Sequence, residues 1–188
     1  IRPHFLFNSL NSIASLIMVD PGRAEEAILD LSELFRATLK TDELLIPLEE
    51  ELTLCRKYLN IEQLRLGDRL QQDWQIDITT HALLIPPLTL QPLAENAVYH
   101  GIQPLPKGGT ITVKVYEKDA YIYLMISNPM SETKKEPEHQ GNKIAYQNIN
   151  NRISTLFGSQ AVLKSSTSDN QYTVTLRLPK KSGDTNAQ

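Results

Sequence analysis

The feature that most constrains this chain is a change of hydrophobic period at Gly67-Asp68-Arg69. Before it, apolar residues recur every three or four positions; after it, they alternate. Leu48, Leu52, Cys55, Leu59, Glu62 and Leu66 form a heptad seam with one carboxylate in it. Gln72, Trp74, Ile76 and Ile78, against Gln71, Asp73, Gln75 and Asp77, form a period-two strand. The 188 residues, 40% of them hydrophobic, suffice for one large domain or two small ones. The pattern divides them into a helical part, residues 1–67, an α/β part, 68–180, and a polar tail, 181–188, expected to be disordered.

In the first part, Phe7, Leu10, Ile13, Leu16 and Ile17 predict a helix from Pro3 to Val19. Asp20-Pro21 reads as an N-cap followed by proline at the first helical position, so the helix kinks or restarts there. Ala24, Ala27, Ile28, Leu31, Leu34, Phe35 and Leu39 carry the stripe to about Lys40. After a connector, a second long helix starts near Leu48. Glu49, Glu50 and Glu51 lie in its first turn, where negative charge suits the helix dipole. The result is an antiparallel helical hairpin. A second copy, making a dimeric four-helix bundle, or the rest of its own chain must cover its seam.

The second part predicts a helix from Leu88 to Gly101, a strand from Thr110 to Glu117, a turn at Lys118-Asp119 and a strand from Tyr121 to Ser127. Either face of that last strand, the tyrosine side or the Ile122 and Leu124 side, can be core. Asn128 to Gln140 is polar and expected to be mobile. A helix from Asn142 to Phe157 and a hairpin of Ala161–Ser166 with Tyr172–Leu178 complete an α+β fold with helices on one face of a mixed sheet.

A net charge of −3 and the lack of a basic stripe argue against direct nucleic-acid binding. The single cysteine, Cys55, excludes an internal disulfide and reads as a small core residue. Trp74 reads as core, and His81 and His139 as solvated. No run of eighteen apolar residues exists. The first residue is not Met, and the sequence opens inside a motif, so the expectation is a piece of a longer protein, membrane-associated only through segments outside it.

Two stretches carry chemistry. Arg2-Pro3-His4-Phe5-Leu6-Phe7-Asn8 places an imidazole at a helix head, and a neutral imidazole nitrogen is a nucleophile. Glu95-Asn96-Ala97-Val98-Tyr99-His100-Gly101 puts Asn96 and His100 on one helical face with Glu95 beside them. The Asn96 amide oxygen can bind Mg²⁺, and His100 with Gly101 can face phosphate. Each stretch alone also fits a plain structural role: a satisfied helix-terminal histidine, and ordinary polar helix surface.

Together they resemble a known pattern. Pro3-His4-Phe5-Leu6-Phe7-Asn8 with Leu10-Asn11-Ser12-Ile13 is similar to the phosphoacceptor box of the LytS/YehU sensor histidine kinases. Glu95 to Gly101 resembles the N-box of their GHKL (Bergerat) ATP-binding domain. Leu48-Glu49-Glu50-Glu51-Leu52 and Tyr58-Leu59-Asn60-Ile61-Glu62 resemble the family's second helix. Within the family, Arg2 before Pro3 is nearest the AlgZ/FimS type.

The resemblance implies a homodimer of phosphotransfer helices joined to an α/β sandwich that binds ATP and Mg²⁺. His4 would take the γ-phosphoryl group, with Glu95 as proton acceptor or polariser and Asn96 on the metal, and pass it to a response regulator, often of the LytTR DNA-binding type. The setting implied is the cytoplasmic side of a bacterial inner membrane. Asn128 stands where the family's adenine-binding Asp belongs, and Met130 where its Gly belongs. The glycine box is reduced to Gly141-Asn142-Lys143-Ile144-Ala145-Tyr146. Lys143 can replace lost backbone N–H contacts by a point charge, while Asn148 and Arg152 keep the downstream pattern. Three functions follow: a transmitter kinase; a degenerate transmitter acting as scaffold or phosphatase; and an ATPase with Glu95 as general base.

Overall fold

The computed structural model describes residues 3–39, 43–79, 83–130 and 140–180, the last segment with side chains from Tyr146 onward. Helix α1 (Pro3–Leu16) ends three residues earlier than the apolar stripe predicts. The N–H groups of Val19 and Asp20 close onto Leu16 O at 3.0 and 2.7 Å. Asp20 Oδ1 then accepts the Arg23 N–H at 3.0 Å, which caps α2 (Pro21–Leu39). The chain therefore restarts here rather than kinks.

Helix α3 (Leu48–Leu66) stops at Gly67, whose φ is +56°. It packs on both α1 and α2. The rings of Phe5 and Tyr58 lie 4.9 Å apart, and Lys57 reaches Asp30 at 2.8 Å and Glu33 at 2.6 Å. Burial on α3 is wider than the heptad seam: Glu51, Leu54, Tyr58 and Ile61 are buried too, and Leu52 is only half-buried. A helix buried on most sides is covered on most sides. Here α1 and α2 cover one flank, and the α/β part covers another.

That junction is tied by backbone. Strand β1 (Ile46–Pro47) pairs antiparallel with β3 (Leu84–Ile85), and Leu48 N donates to Leu83 O at 2.9 Å. The main sheet runs β2 (Leu70–Asp77), β4 (Gly109–Lys118), β5 (Tyr121–Pro129), β7 (Gln171–Pro179) and β6 (Val162–Ser168) in spatial order. β2 is parallel to β4 and every other pair is antiparallel, so the sheet is mixed as expected. Its inner face carries Ile111, Val113, Val115, Ile122, Leu124, Ile126, Leu176 and Leu178, all buried against the helices. The tyrosine side of β5 faces outward, where Tyr116 and Tyr123 stack at 5.1 Å and Arg177 lies 4.5 Å over Tyr121.

The remaining helices are α4 (Leu90–Asn96), which continues into a π turn over Ala97–Ile102, and α5 (Gln140–Phe157), closed by Gly158 at φ +58°. The turn expected at Lys118-Asp119 falls one residue later: Lys118 still pairs with Tyr121, and Asp119 takes φ +55°. Cys55 is fully buried, which pushes its thiol pKa up. Trp74 is half-buried, with the Arg56 guanidinium 4.1 Å over its ring. His81, His139, most of the polar stretch 128–140 and the tail 181–188 lie outside the described residues.

Gly108 shows how tightly the segment before β4 packs on the turn before β2. Its φ is +67°, and a Cβ there would stand 1.9 Å from Arg69 O. Backbone cannot yield by that much, so Gly108→Ala is expected to cost about 3 kcal/mol, or roughly 6–12 °C in melting temperature. A thermal melt with a loss below about 1 kcal/mol would contradict this packing.

Candidate functional site

The site is built on the stretch Pro86 to Ile102. Two prolines hold its start extended, and Leu88 then takes φ +55°, a conformation that costs a non-glycine residue about 1–2 kcal/mol. What holds it there is a carboxylate from another helix. Glu51 Oε2 accepts the Leu88 N–H at 3.0 Å, and Oε1 accepts those of Thr89, Leu90 and Gln91 at 2.7, 2.7 and 3.4 Å. These are the orphan donors at the start of α4. Thr89 Oγ1 donates to Pro86 O at 2.6 Å, and Arg152 Nη2 from α5 donates to Pro87 O.

Glu51 is fully buried. Burial pushes its carboxyl pKa up, and the backbone N–H groups pull against that rise. Burial also lowers the pKa of Arg152, an effect opposed by the Glu51 charge. The sequence places Glu51 with Glu49 and Glu50 at the head of its own helix. All three do lie in the first turn of α3, where Glu49 and Glu50 are exposed, but the Glu51 side chain turns inward and serves α4.

Along α4, Gln91 Nε2 donates to Glu95 Oε1 at 3.2 Å. Gln91 is buried, and its own Oε1 accepts no hydrogen bond among the described residues. Asn96 is the last α-helical residue, half-buried like Glu95. The helix does not end at Gly101 as expected. It widens, with Gln103 N donating to Val98 O at 2.9 Å, and runs through Gly101 to Ile102. A π turn leaves residues four and five apart on one side, so His100 stays on the flank of Asn96 and Glu95. The His100 ring meets Tyr99 edge-on at 4.7 Å.

Gly101 closes against β5. A Cβ on it would stand 2.3 Å from Asn128 Nδ2 and 2.7 Å from Asn128 Cβ. Asn128 is buried, and its Nδ2 donates to Pro129 O at 2.9 Å. The structure thus joins Glu95, Asn96, His100 and Gly101 on one helix and sets Asn128 against Gly101. Gly141 and Lys143 fall in the first turns of α5, and Asn148 is exposed further along it. His4 stands apart from this group in the chain, exposed at the head of α1. Beyond the site, Arg69 Nη2 donates to Gln103 O at 3.1 Å and Leu105 O at 2.9 Å, holding the far end of the π turn.

Among the described residues, no three His, Cys, Asp or Glu side chains cluster as a metal cage. Glu95 and the Asn96 amide offer oxygen donors of the kind a Mg²⁺ ion takes alongside substrate phosphates. The unpartnered, buried Gln91 oxygen adds polar capacity to the same helix. The residues present fit a metal–nucleotide. Glu51, Gln91 and Arg69 were not legible as site residues. Only the spacing of Gln91 and Glu95, four apart on a helix, offered a signal.

The family described as histidine kinase matches residues 1–70. The sensor protein LytS of Oceanobacillus iheyensis is 36% identical over 95% of this chain and 33% of its own length. The sensor histidine kinase YpdA of Escherichia coli is 38% identical over 84% of this chain and 29% of its own. The chain thus spans about a third of the length of these relatives. Among solved structures, Acinetobacter baumannii histidine kinase AdeS matches with a TM-score of 0.53 at 12% identity, over 82% of this chain and 77% of that one. The catalytic domain of histidine kinase ThkA matches with 0.52 at 13% identity, over 72% and 94%. These two likenesses are of fold.

Because a Cβ on Gly101 would meet the Asn128 side chain from its Nδ2 down to its Cβ, Gly101→Ala must displace β5 or the π turn. The expected cost is about 1–3 kcal/mol, with Asn128 moved from its place. Denaturant unfolding reads the first effect and nucleotide titration the second. Unchanged stability would show that the two are not in contact.

Proposed function

The chain belongs to the histidine kinases of the LytS type, and on that premise we propose that it is the transmitter core of a two-component sensor. The observation that carries the reading is the joining of Glu95, Asn96, His100 and Gly101 on one short helix, with Asn128 against Gly101. In this reading an imidazole nitrogen of His4 forms a bond to the γ-phosphorus of ATP as the bond from that phosphorus to the β–γ bridging oxygen breaks, and ADP leaves. Glu95, held by Gln91, takes the imidazole proton. Phosphoryl transfer depends mainly on positioning and charge neutralisation. Mg²⁺ supplies part of that neutralisation when bound, and Asn96 would hold it. Gly141, Lys143 and Asn148 would line the phosphate side from α5, and His100 and Gly101 from the π turn.

Residues 1–67 would serve as the dimerising phosphotransfer part, and 68–180 as the ATP-binding part. Exposed Phe7, Leu10, Ile17, Ile28, Leu29 and Leu39 on α1, α2 and the turn between them support a homodimer, since apolar side chains in such number favour burial. The phosphoryl acceptor would be an aspartate of a response regulator, of the LytTR type, at the cytoplasmic face of a bacterial inner membrane. Among the described residues no helix is long and apolar enough to cross that membrane.

One observation favours a second reading. The Asn128 amide is already committed to Pro129 O, at the position where a carboxylate would recognise adenine. A degenerate transmitter that binds nucleotide weakly and works as scaffold or phosphatase accommodates this. Labelled ATP with Mg²⁺ is expected to give acid-labile phosphate on the wild type, none on His4→Gln, and at least about 100-fold less on Asn96→Ala. Calorimetry with an ATP analogue decides between the readings, and micromolar binding favours the kinase. Phosphate release that survives His4→Gln but not Glu95→Ala would instead indicate an ATPase.

A further inference from the structure

We propose that α3, with the 3₁₀ turn Gly67–Arg69 that follows it, is a two-ended clamp on the helix that carries Glu95, Asn96 and His100, and that Glu51 and Arg69 are positioning residues for that helix. The clamp rests on the nucleotide-site reading above and adds to it the means by which the helical part governs the site.

Glu51, one turn into α3, binds the backbone N–H groups of Leu88 to Gln91 at the start of α4. Arg69, just past the end of α3, binds the carbonyls of Gln103 and Leu105 at the end of the π turn. The anion meets the positive end of the gripped helix and the cation its negative end, which is the favourable arrangement for both. Glu51 lies on the 19-residue rod and Arg69 on the single 3₁₀ turn, Gly67–Arg69, that follows it directly, so the chain between the two grips is helical throughout and sets their separation. Glu95, Asn96 and His100 all lie between them.

The middle of the same rod faces the other way. Lys57 pairs with Asp30 and Glu33 of α2, and Tyr58 packs on Phe5, next to His4. A displacement of α1 and α2 is therefore delivered to both ends of the nucleotide helix at once. The gripped atoms are backbone, so the device does not depend on which side chains α4 presents. Arg152 adds a link from α5 to the same start, through Pro87 O. The walls of the site on α4 and on α5 thus share one fixed point.

The test is steady-state phosphorylation of His4 in the full chain against ATP concentration, for wild type, Glu51→Gln, Arg69→Gln, Arg69→Lys and Lys57→Gln. Loss of a grip lets the helix drift, so KM for ATP is expected to rise at least about tenfold in Glu51→Gln and Arg69→Gln, with kcat within about threefold. Arg69→Lys keeps a cation at the same carbonyls and should return KM to within about threefold of wild type. Lys57→Gln weakens only the attachment to α2 and should leave KM unchanged. Plain loss of folded protein would lower kcat at constant KM, and that result in both grip variants overturns the clamp. Should Glu51→Gln not fold, the Arg69 pair decides alone. Unchanged KM in the grip variants, with a wild type that binds ATP, overturns the clamp only. A wild type that binds no nucleotide overturns the kinase reading and the clamp together.

Discussion

The structure depends on one carboxylate. Glu51 is sealed from water, and an ion in such a place is tolerable only if its lone pairs are filled. Backbone N–H groups from a single turn fill them, and each such bond to a charged acceptor is worth about 1.5–3 kcal/mol. The same bonds offset the left-handed backbone at Leu88 and settle the donors at the head of a helix too short to be stable alone. Remove the carboxylate and the orphaned N–H groups, the strained turn and a half-compensated Arg152 remain in an apolar interior. The two halves of the chain are therefore parts of one electrostatic unit, and their buried residues form a single continuous core.

Much of the layout was legible in the sequence, because it rests on local patterns. Asp20-Pro21 has only one good use as a pair, and Asp20 caps α2 as read. Gly67 ends α3 because the chain must take positive φ there, and the alternation after it is a strand. The hairpin of β6 and β7 stands where alternation placed it, and the structure closes it through Asp169-Asn170, both at positive φ, as a tight two-residue connection requires. Where boundaries moved, the cause is pairing. Lys118 is kept in the ladder opposite Tyr121, so the turn shifts onward, and β5 reaches Asn128 and Pro129 because β7 is long enough to pair with them.

What stayed hidden depends on contacts between residues far apart in sequence. Glu49, Glu50 and Glu51 are chemically alike and adjacent, and nothing local says that the third turns inward. Propensity also gives no sign of a π turn, since Ala97 to Ile102 is as fit for an α-helix. The C-terminal end of the turn is held from two sides by residues distant in sequence, Asn128 against Gly101 and Arg69 on the carbonyls of Gln103 and Leu105. That Glu95, Asn96, His100 and Gly101 share one helix was legible, but the groups that hold that helix, Gln91, Glu51 and Arg69, were not. They act through backbone or through another side chain, and leave no spacing of their own to read.

The π turn has a consequence for how such a sequence can change. A π turn holds more residues per turn than an α-helix of the same span. Losing a single codon between Ala97 and Ile102 would let the segment rewind tightly, but Gly101 and the carbonyls of Gln103 and Leu105 are pinned from outside. The slack would then be taken up on the other side, turning Asn96 by about 100° around the helix axis. A deletion that looks harmless on a helix would thus point the site at solvent. Chains of this lineage should accept substitutions in the turn far more readily than any change in its length.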